Sequence, residues 1–213
     1  MKTFLLRDGW RIEPKPPFVI GRLAGGDAVI AHHGTASMPK LRLSSEGGLQ
    51  VALGPGTQAV EEVLYDYFDG EPNEGPGWWL AFEAGYLCPW PVHTTVWSTG
   101  DDASWPVELT LDGGRDEFLY VKGPFARSSA PELGSLVGPG MERVGSARFA
   151  GVHGAIEMIE LRYTHADAEW RQWRYLVPLE SDLVLLVTAQ ATAEGLGPML
   201  EIGKLVCAGA RSS

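Results

Sequence analysis

The chain has 213 residues, 45% of them hydrophobic and 21% charged, with 27 acidic against 17 basic side chains. That balance belongs to a folded protein long enough to bury a sizeable core, and it excludes a disordered chain. A net charge of −10 argues against a nucleic-acid backbone or an anionic membrane as partner, and no apolar run approaches the roughly 18–20 residues of a spanning helix.

The opening segment, MKTFLLRDGWRIEP, has its apolar stretch cut short by Arg7 and Asp8, too soon for a secretory core, so a cytoplasmic location is expected. Residues 26–33, 40–45 and 49–54 read as short strands between Gly, Pro and Ser turns. In residues 57–68, Val60, Val63, Leu64, Tyr67 and Phe68 form one helical face, with Thr57 as cap and Gly70 as stop. Residues 78–87, 91–97, 105–112 and 117–123 then read as a β-meander. Leu109 and Leu111 alternate with Glu108 and Thr110 in the pattern of a half-buried strand.

Residues 126–141 are rich in Ser, Gly and Pro, with a helical turn expected after Pro131. They divide the chain into an acidic, Trp-rich region, 1–125, and a region of strands with a closing helix, 142–213; the two could also be one continuous domain. Four strands follow the connection. Ile159, Leu161 and Tyr163 share one face, Trp173, Tyr175 and Val177 share another, and 183–187 is apolar on both sides, as a central strand is. The last element, GPMLEIGKLVCAG, reads as a helix burying Met199, Ile202, Leu205 and Val206. The fold class expected is α+β: antiparallel sheet with one amphipathic helix in each half.

Tyr163, the run Trp170-Arg171-Gln172, the run Tyr175-Leu176-Val177-Pro178, residues 183–189 and the terminal helix together resemble the C-terminal half of a Mog1/PsbP-like domain, of the DcrB type. The resemblance spans about residues 142–209. It implies a binding protein, such as an adaptor, an assembly factor or a secretion chaperone, and brings no catalytic residues with it.

Charge is unevenly placed. Residues 43–114 hold twelve acids and no lysine or arginine, while the remainder carries 17 bases against 15 acids. The density peaks in DYFDGEPNEGPGWW, residues 66–79. Asp66, Asp69, Glu71 and Glu74 lack the alternation of an EF-hand loop, and adjacent His32 and His33 point to opposite faces of a strand, so no metal site is expected. Paired carboxylates beside tryptophans also suit a glycoside hydrolase, but so many acids make some suitable pair inevitable. Cys88 and Cys207 sit in no nucleophile or redox motif and read as free, buried thiols, and phosphate-binding glycine motifs are absent. No cofactor is expected.

Trp78 and Trp79 are consecutive, so on a strand one faces the core and the other faces out as an interface anchor. With Asp66, Asp69, Glu71, Glu74, Asp101 and Asp102 around it, such an anchor describes a surface for a basic protein. The function expected is non-enzymatic protein binding, most concretely by an immunity protein that neutralises a basic antibacterial toxin. The alternatives are a chaperone or adaptor for a secreted effector, a carboxylate-dependent hydrolase, and a merely solubilising charge.

Overall fold

The computed structural model describes residues 3–7, 10–12, 18–22, 28–32, 40–43, 49–52, 65–67, 78–98, 108–111 and 117–213. Their strands are β1 (Thr3–Arg7), β2 (Trp10–Ile12), β3 (Phe18–Arg22), β4 (Ala28–His32), β5 (Lys40–Leu43), β6 (Leu49–Ala52), β7 (Tyr65–Tyr67), β8 (Trp79–Phe82) and β9 (Tyr86–Pro89). There follow β10 (Thr94–Ser98), β11 (Glu108–Leu111), β12 (Phe118–Ala126), β13 (Glu142–Gly151), β14 (Gly154–His165), β15 (Ala168–Pro178), β16 (Leu183–Thr192) and β17 (Arg211–Ser212), with one α-helix, α1 (Leu196–Gly209), before the last. The class is α+β, as the alternating sequence implies.

All pairings are antiparallel, in two sheets. The smaller runs β17-β9-β8-β1-β2-β7 and the larger runs β13-β14-β15-β16-β12-β11-β10-β3-β4-β5-β6. Strand β16 lies between β15 and β12, and its LVLLV run is buried on both faces except at the half-buried Leu183. That environment selects aliphatic residues without alternation. Because β12 pairs with β16, residues before and after the 126–141 connection share one sheet; the connection itself forms two short 3-10 turns, Arg127–Ser129 and Leu133–Leu136.

The main core lies between the sheets. Leu5, Leu80, Phe82, Tyr86, Cys88 and Trp90 come from the smaller one or its flank, and Val96, Leu109, Leu119, Val121, Trp173, Tyr175, Val177, Leu185 and Val187 from the larger. Helix α1 closes this layer against β15, β16 and β9 with Met199, Gly203, Val206 and Cys207. These positions fall at i, i+4, i+7 and i+8, one helical face. Leu205, expected on that face, is 44% exposed, and Ile202 is only partly buried. Gly203 brings the helix against the Tyr175 ring, so the buried stripe is rotated towards the glycine.

Three further expectations need correction. Residues 65–67, expected within a helix, form β7 and pair with Ile12, Arg11 and Trp10 of β2; residues 57–64 lie outside those described. A strand partner has prevailed over helical periodicity there. Residues 78–87, read as one strand, are a hairpin. Glu83, Ala84 and Gly85 turn the chain, with Gly85 at φ 89° and its N–H donating to the Phe82 carbonyl at 3.0 Å. The third correction concerns the tryptophan pair.

Candidate functional site

Trp78 is 3% exposed and Trp79 5% exposed, so neither is the open anchor that alternation suggests. Trp78 meets Trp90 edge to face in the main core. Trp79 does point to the other side, but that side is covered too: it clusters with Leu6, Ala81 and Leu87, and the Arg211 guanidinium lies 4.3 Å from its ring centre. Of the expected acidic site, Asp66 falls on β7, the end strand of the smaller sheet. Asp69, Glu71, Glu74, Asp101 and Asp102 lie outside the described residues.

The buried cysteines and tyrosines among the described residues are placed for packing. Cys88 and Cys207 are free and buried. Desolvation pushes the Cys88 thiol up to about 12 and the Cys207 thiol well above its ordinary value, which suppresses the nucleophilic thiolate. Desolvation likewise raises the Tyr86 and Tyr175 hydroxyls. Among the described residues, no three His, Cys, Asp or Glu side chains gather as a metal site would require. One groove, of about 160 Å³, runs between the 3-10 turns and the larger sheet over Leu176, Pro178 and Val184, with Arg127, Glu132 and Glu157 at its rim. It is smaller than the roughly 300–1,000 Å³ usual for small-molecule sites.

The most organised polar network among the described residues is one that sequence reading missed, and Thr110, Gln172 and Thr188 within it are buried. It lies on the face of the larger sheet opposite α1. The register sets Glu108, Tyr120, Thr188 and Arg174 in one row across β11, β12, β16 and β15, and Thr110, Phe118, Gln190 and Gln172 in the next. A row beyond, Thr192 faces Trp170 and Trp170 faces Tyr163. Alternation along each strand sends these side chains one way and the core residues the other.

A hydrogen-bond chain crosses this face. The Arg174 guanidinium donates to the Leu136 carbonyl and, through Nε, to Gln172 Oε1 at 2.7 Å. Gln172 Nε2 donates to Gln190 Oε1 at 3.1 Å, and the Tyr163 hydroxyl donates to the same oxygen at 2.5 Å. Arginine can only donate, so Gln172 must turn its oxygen to Arg174 and its nitrogen to Gln190; the polarity is fixed along the chain. Burial holds the Tyr163 hydroxyl above its usual range, with Tyr120 adding to the effect and Arg174 opposing it, so Tyr163 remains a donor. Aromatic pairs flank the chain. Phe118 and Tyr120 stack at 5.3 Å on β12, and Tyr163 and Trp170 at 6.4 Å across β14 and β15. Lys122 sits 5.5 Å from the Tyr120 ring centre, and Trp97 Nε1 donates to Thr110 Oγ1 at 2.7 Å. Burial raises the Glu108 carboxyl in the same row.

Large apolar side chains exposed among the described residues are scattered: Val92, Val144, Val152 and Leu205. No helix of the described residues is long and apolar enough to cross a membrane.

No protein-family model and no curated protein sequence matches the chain. Among solved structures it is similar to the cyanobacterial PsbP (CyanoP) of Synechocystis sp. PCC 6803, with 12% identity over 62% of this chain and 89% of that one and a TM-score of 0.43. It is also similar to LpqN of Mycobacterium tuberculosis, a protein involved in cell envelope biogenesis, with 11% identity over 59% of this chain and 82% of that one and a TM-score of 0.35. Both are Mog1/PsbP-like folds, the fold named from the C-terminal sequence, and at these scores the likeness carries no information about activity.

Proposed function

We propose that this protein acts by binding a basic protein partner rather than by catalysis, and that the acidic segment 43–114 makes the contact. The observation that carries the reading is the complete lack of lysine and arginine among those residues, against twelve acids. A surface of one sign raises encounter rates with an oppositely charged partner by about ten- to a thousandfold and disfavours wrong partners. The segment supplies β7, at one end of the smaller sheet, and both strands of the β10–β11 hairpin. Among the described residues the scatter of exposed apolar side chains favours this reading over a chaperone that would offer a client a continuous apolar channel. In its most concrete form the partner is an antibacterial toxin, held inactive in the cytoplasm of the cell that makes both.

The test compares the wild-type protein with the quadruple variant Asp66→Asn, Asp69→Asn, Glu71→Gln and Glu74→Gln as baits in a lysate of the native host. Each bait is washed at low and at high salt, and retained proteins are identified by mass spectrometry. The expected result is one basic protein retained by the wild type at low salt, weakened at high salt and lost from the variant, with the two baits melting within a few degrees of each other. Equal retention by both baits, or retention indifferent to salt, overturns the reading.

A further inference from the structure

We propose a second binding site, separate from the acidic segment: the open edge of β13 takes an acidic extended segment of a partner protein as an added strand. Strand β13 ends the larger sheet and pairs, among the described residues, with β14 alone. Seven of its ten residues are exposed, so its outer edge faces solvent. Folded proteins usually keep such edges short, cover them, or interrupt them with proline or lysine. β13 has neither residue, and its bulge, between Arg143 and Gly145, leaves residues 145–151 regular. Val152 and His153 form the two-residue turn into β14, closed by the Gly151–Gly154 pair. A closing pair of that kind is hydrogen-bonded, and bonded pairs alternate along an antiparallel ladder. The backbone groups of Gly145, Ala147, Phe149 and Gly151 are therefore engaged by β14, and those of Ser146, Arg148 and Ala150 point outward.

The side chains of this edge set the charge of the partner. Arg143 and Arg148 face Leu161 and Glu157 of β14, positions of one parity, so both project on the face that carries the 3-10 turns. Their partners are four positions apart on β14, which sets the two arginines about 13 Å apart. Both are exposed, and neither has an ion-pair partner among the described residues. The neighbouring acids do not neutralise them: Glu142 is held by Arg162, Glu160 by Arg171, and Glu157 forms no ion pair with Arg148. A strand laid along the edge carries residues i and i+4 on one face at the same spacing. Carboxylates four residues apart can thus meet both guanidiniums while the backbone extends the ladder. A second copy of this chain is the poorer occupant. Antiparallel pairing about a two-fold axis at Ala147 or Arg148 sets the two Arg148 side chains diagonal or opposite, like charge against like.

The test titrates the full-length protein with a synthetic peptide of alternating threonine and valine that carries two glutamates four residues apart. Binding and amide hydrogen exchange are followed by two-dimensional NMR. In the free protein the amides of Ala147 and Phe149 should be protected and those of Ser146, Arg148 and Ala150 should exchange freely. Saturating peptide should protect these last three. The same peptide with lysines for glutamates should bind more weakly, and the glutamate peptide N-methylated throughout, which cannot form a ladder, should not bind. The double variant Arg143→Gln with Arg148→Gln should weaken binding of the glutamate peptide about tenfold at unchanged melting temperature, through the loss of two cross-strand charge pairs. Absence of binding, equal binding of the glutamate and lysine peptides, or protection that appears elsewhere than on β13 overturns the proposal. So does concentration-dependent dimerisation that protects the same three amides without peptide, since a second copy then holds the edge.

Discussion

Gly203 and Tyr175 form a contact whose energetics can be worked out atom by atom. Tyr175 is fully buried beneath α1, and its hydroxyl has no hydrogen-bond partner. A β-carbon at Gly203 would meet that hydroxyl oxygen at 2.7 Å, with the ring carbons Cζ and Cε2 at 3.2 and 3.3 Å. Gly203→Ala gains about 1 kcal/mol of helix propensity but forces a packed ring to move, and such overpacking costs about 1–3 kcal/mol. The ring has little room, since Phe149 meets it edge to face at 6.2 Å. The net expectation is a loss of about 1 kcal/mol, or about 2–4 °C for a chain of this length. Tyr175→Phe removes both the colliding oxygen and an unsatisfied buried hydroxyl, so alone it should stabilise by about 1 kcal/mol. In the Tyr175→Phe background, Gly203→Ala should then be neutral or stabilising, leaving a coupling of about 1 kcal/mol or more between the two sites. Urea unfolding of the four proteins, followed by circular dichroism, measures this cycle. Strict additivity, with Gly203→Ala equally harmful on both backgrounds, would refute the reasoning.

The β14–β15 hairpin turns on Ala166 and Asp167, both at positive φ (48° and 63°), the geometry that Asn-Gly satisfies. Ala166→Asn with Asp167→Gly should raise stability by about 1 kcal/mol, read as a melting-temperature increase of about 2–4 °C. Cys88 and Cys207 should resist a disulfide-exchange reagent at pH 8 in the native protein and react only as fast as the chain unfolds; prompt labelling of either would contradict their burial. Glu108 has a folded-state value raised by burial, so the protonated form is favoured by folding. Its contribution to stability is complete below the unfolded value near about 4.3 and is lost as pH rises through the folded one. Glu108→Gln should therefore melt higher than wild type at pH 7 and equal to it near pH 4, and a difference of the opposite sign would refute the assignment.

How far the sequence discloses this fold depends on where each element finds its partners. Strands β14, β15 and β16 are plain in the sequence because each is ten or more residues long and pairs with its chain neighbour, β16 through an apolar run buried on both faces. The β8–β9 hairpin is obscured by apolar residues on both faces of both strands and by a three-residue turn carrying only Gly85 as a signal. Strand β7 is three residues long and exists through β2, more than fifty positions earlier, which no local pattern reveals. The burial of Trp79 has the same origin: Arg211 reaches it only because β17 pairs with β9 from the far end of the chain. The amide chain on the face opposite α1 is the extreme case. Gln172 and Gln190 look like unremarkable polar positions until the register of β15 with β16 sets them side by side.

The acidic segment is part of the folded framework rather than an appendage to it. Strands β8 and β9 contribute Leu80, Phe82, Tyr86 and Cys88 to the same core that Tyr175 and Val187 enter from the C-terminal strands. Burial on both faces bars charge from these strands, and WLAF and YLCP indeed carry none. Of the twelve acids between 43 and 114, only Asp66 and Glu108 fall within described strands. Packing thus accounts for how few acids the described strands hold. It does not account for the absence of bases from the segment: solubility alone tolerates lysine and glutamate alike, and proteins ordinarily intersperse the two signs. Repulsion among uncompensated carboxylates costs stability, so a segment that keeps twelve of them with no lysine or arginine is what the proposed basic partner requires, and the quadruple variant is the direct test of it.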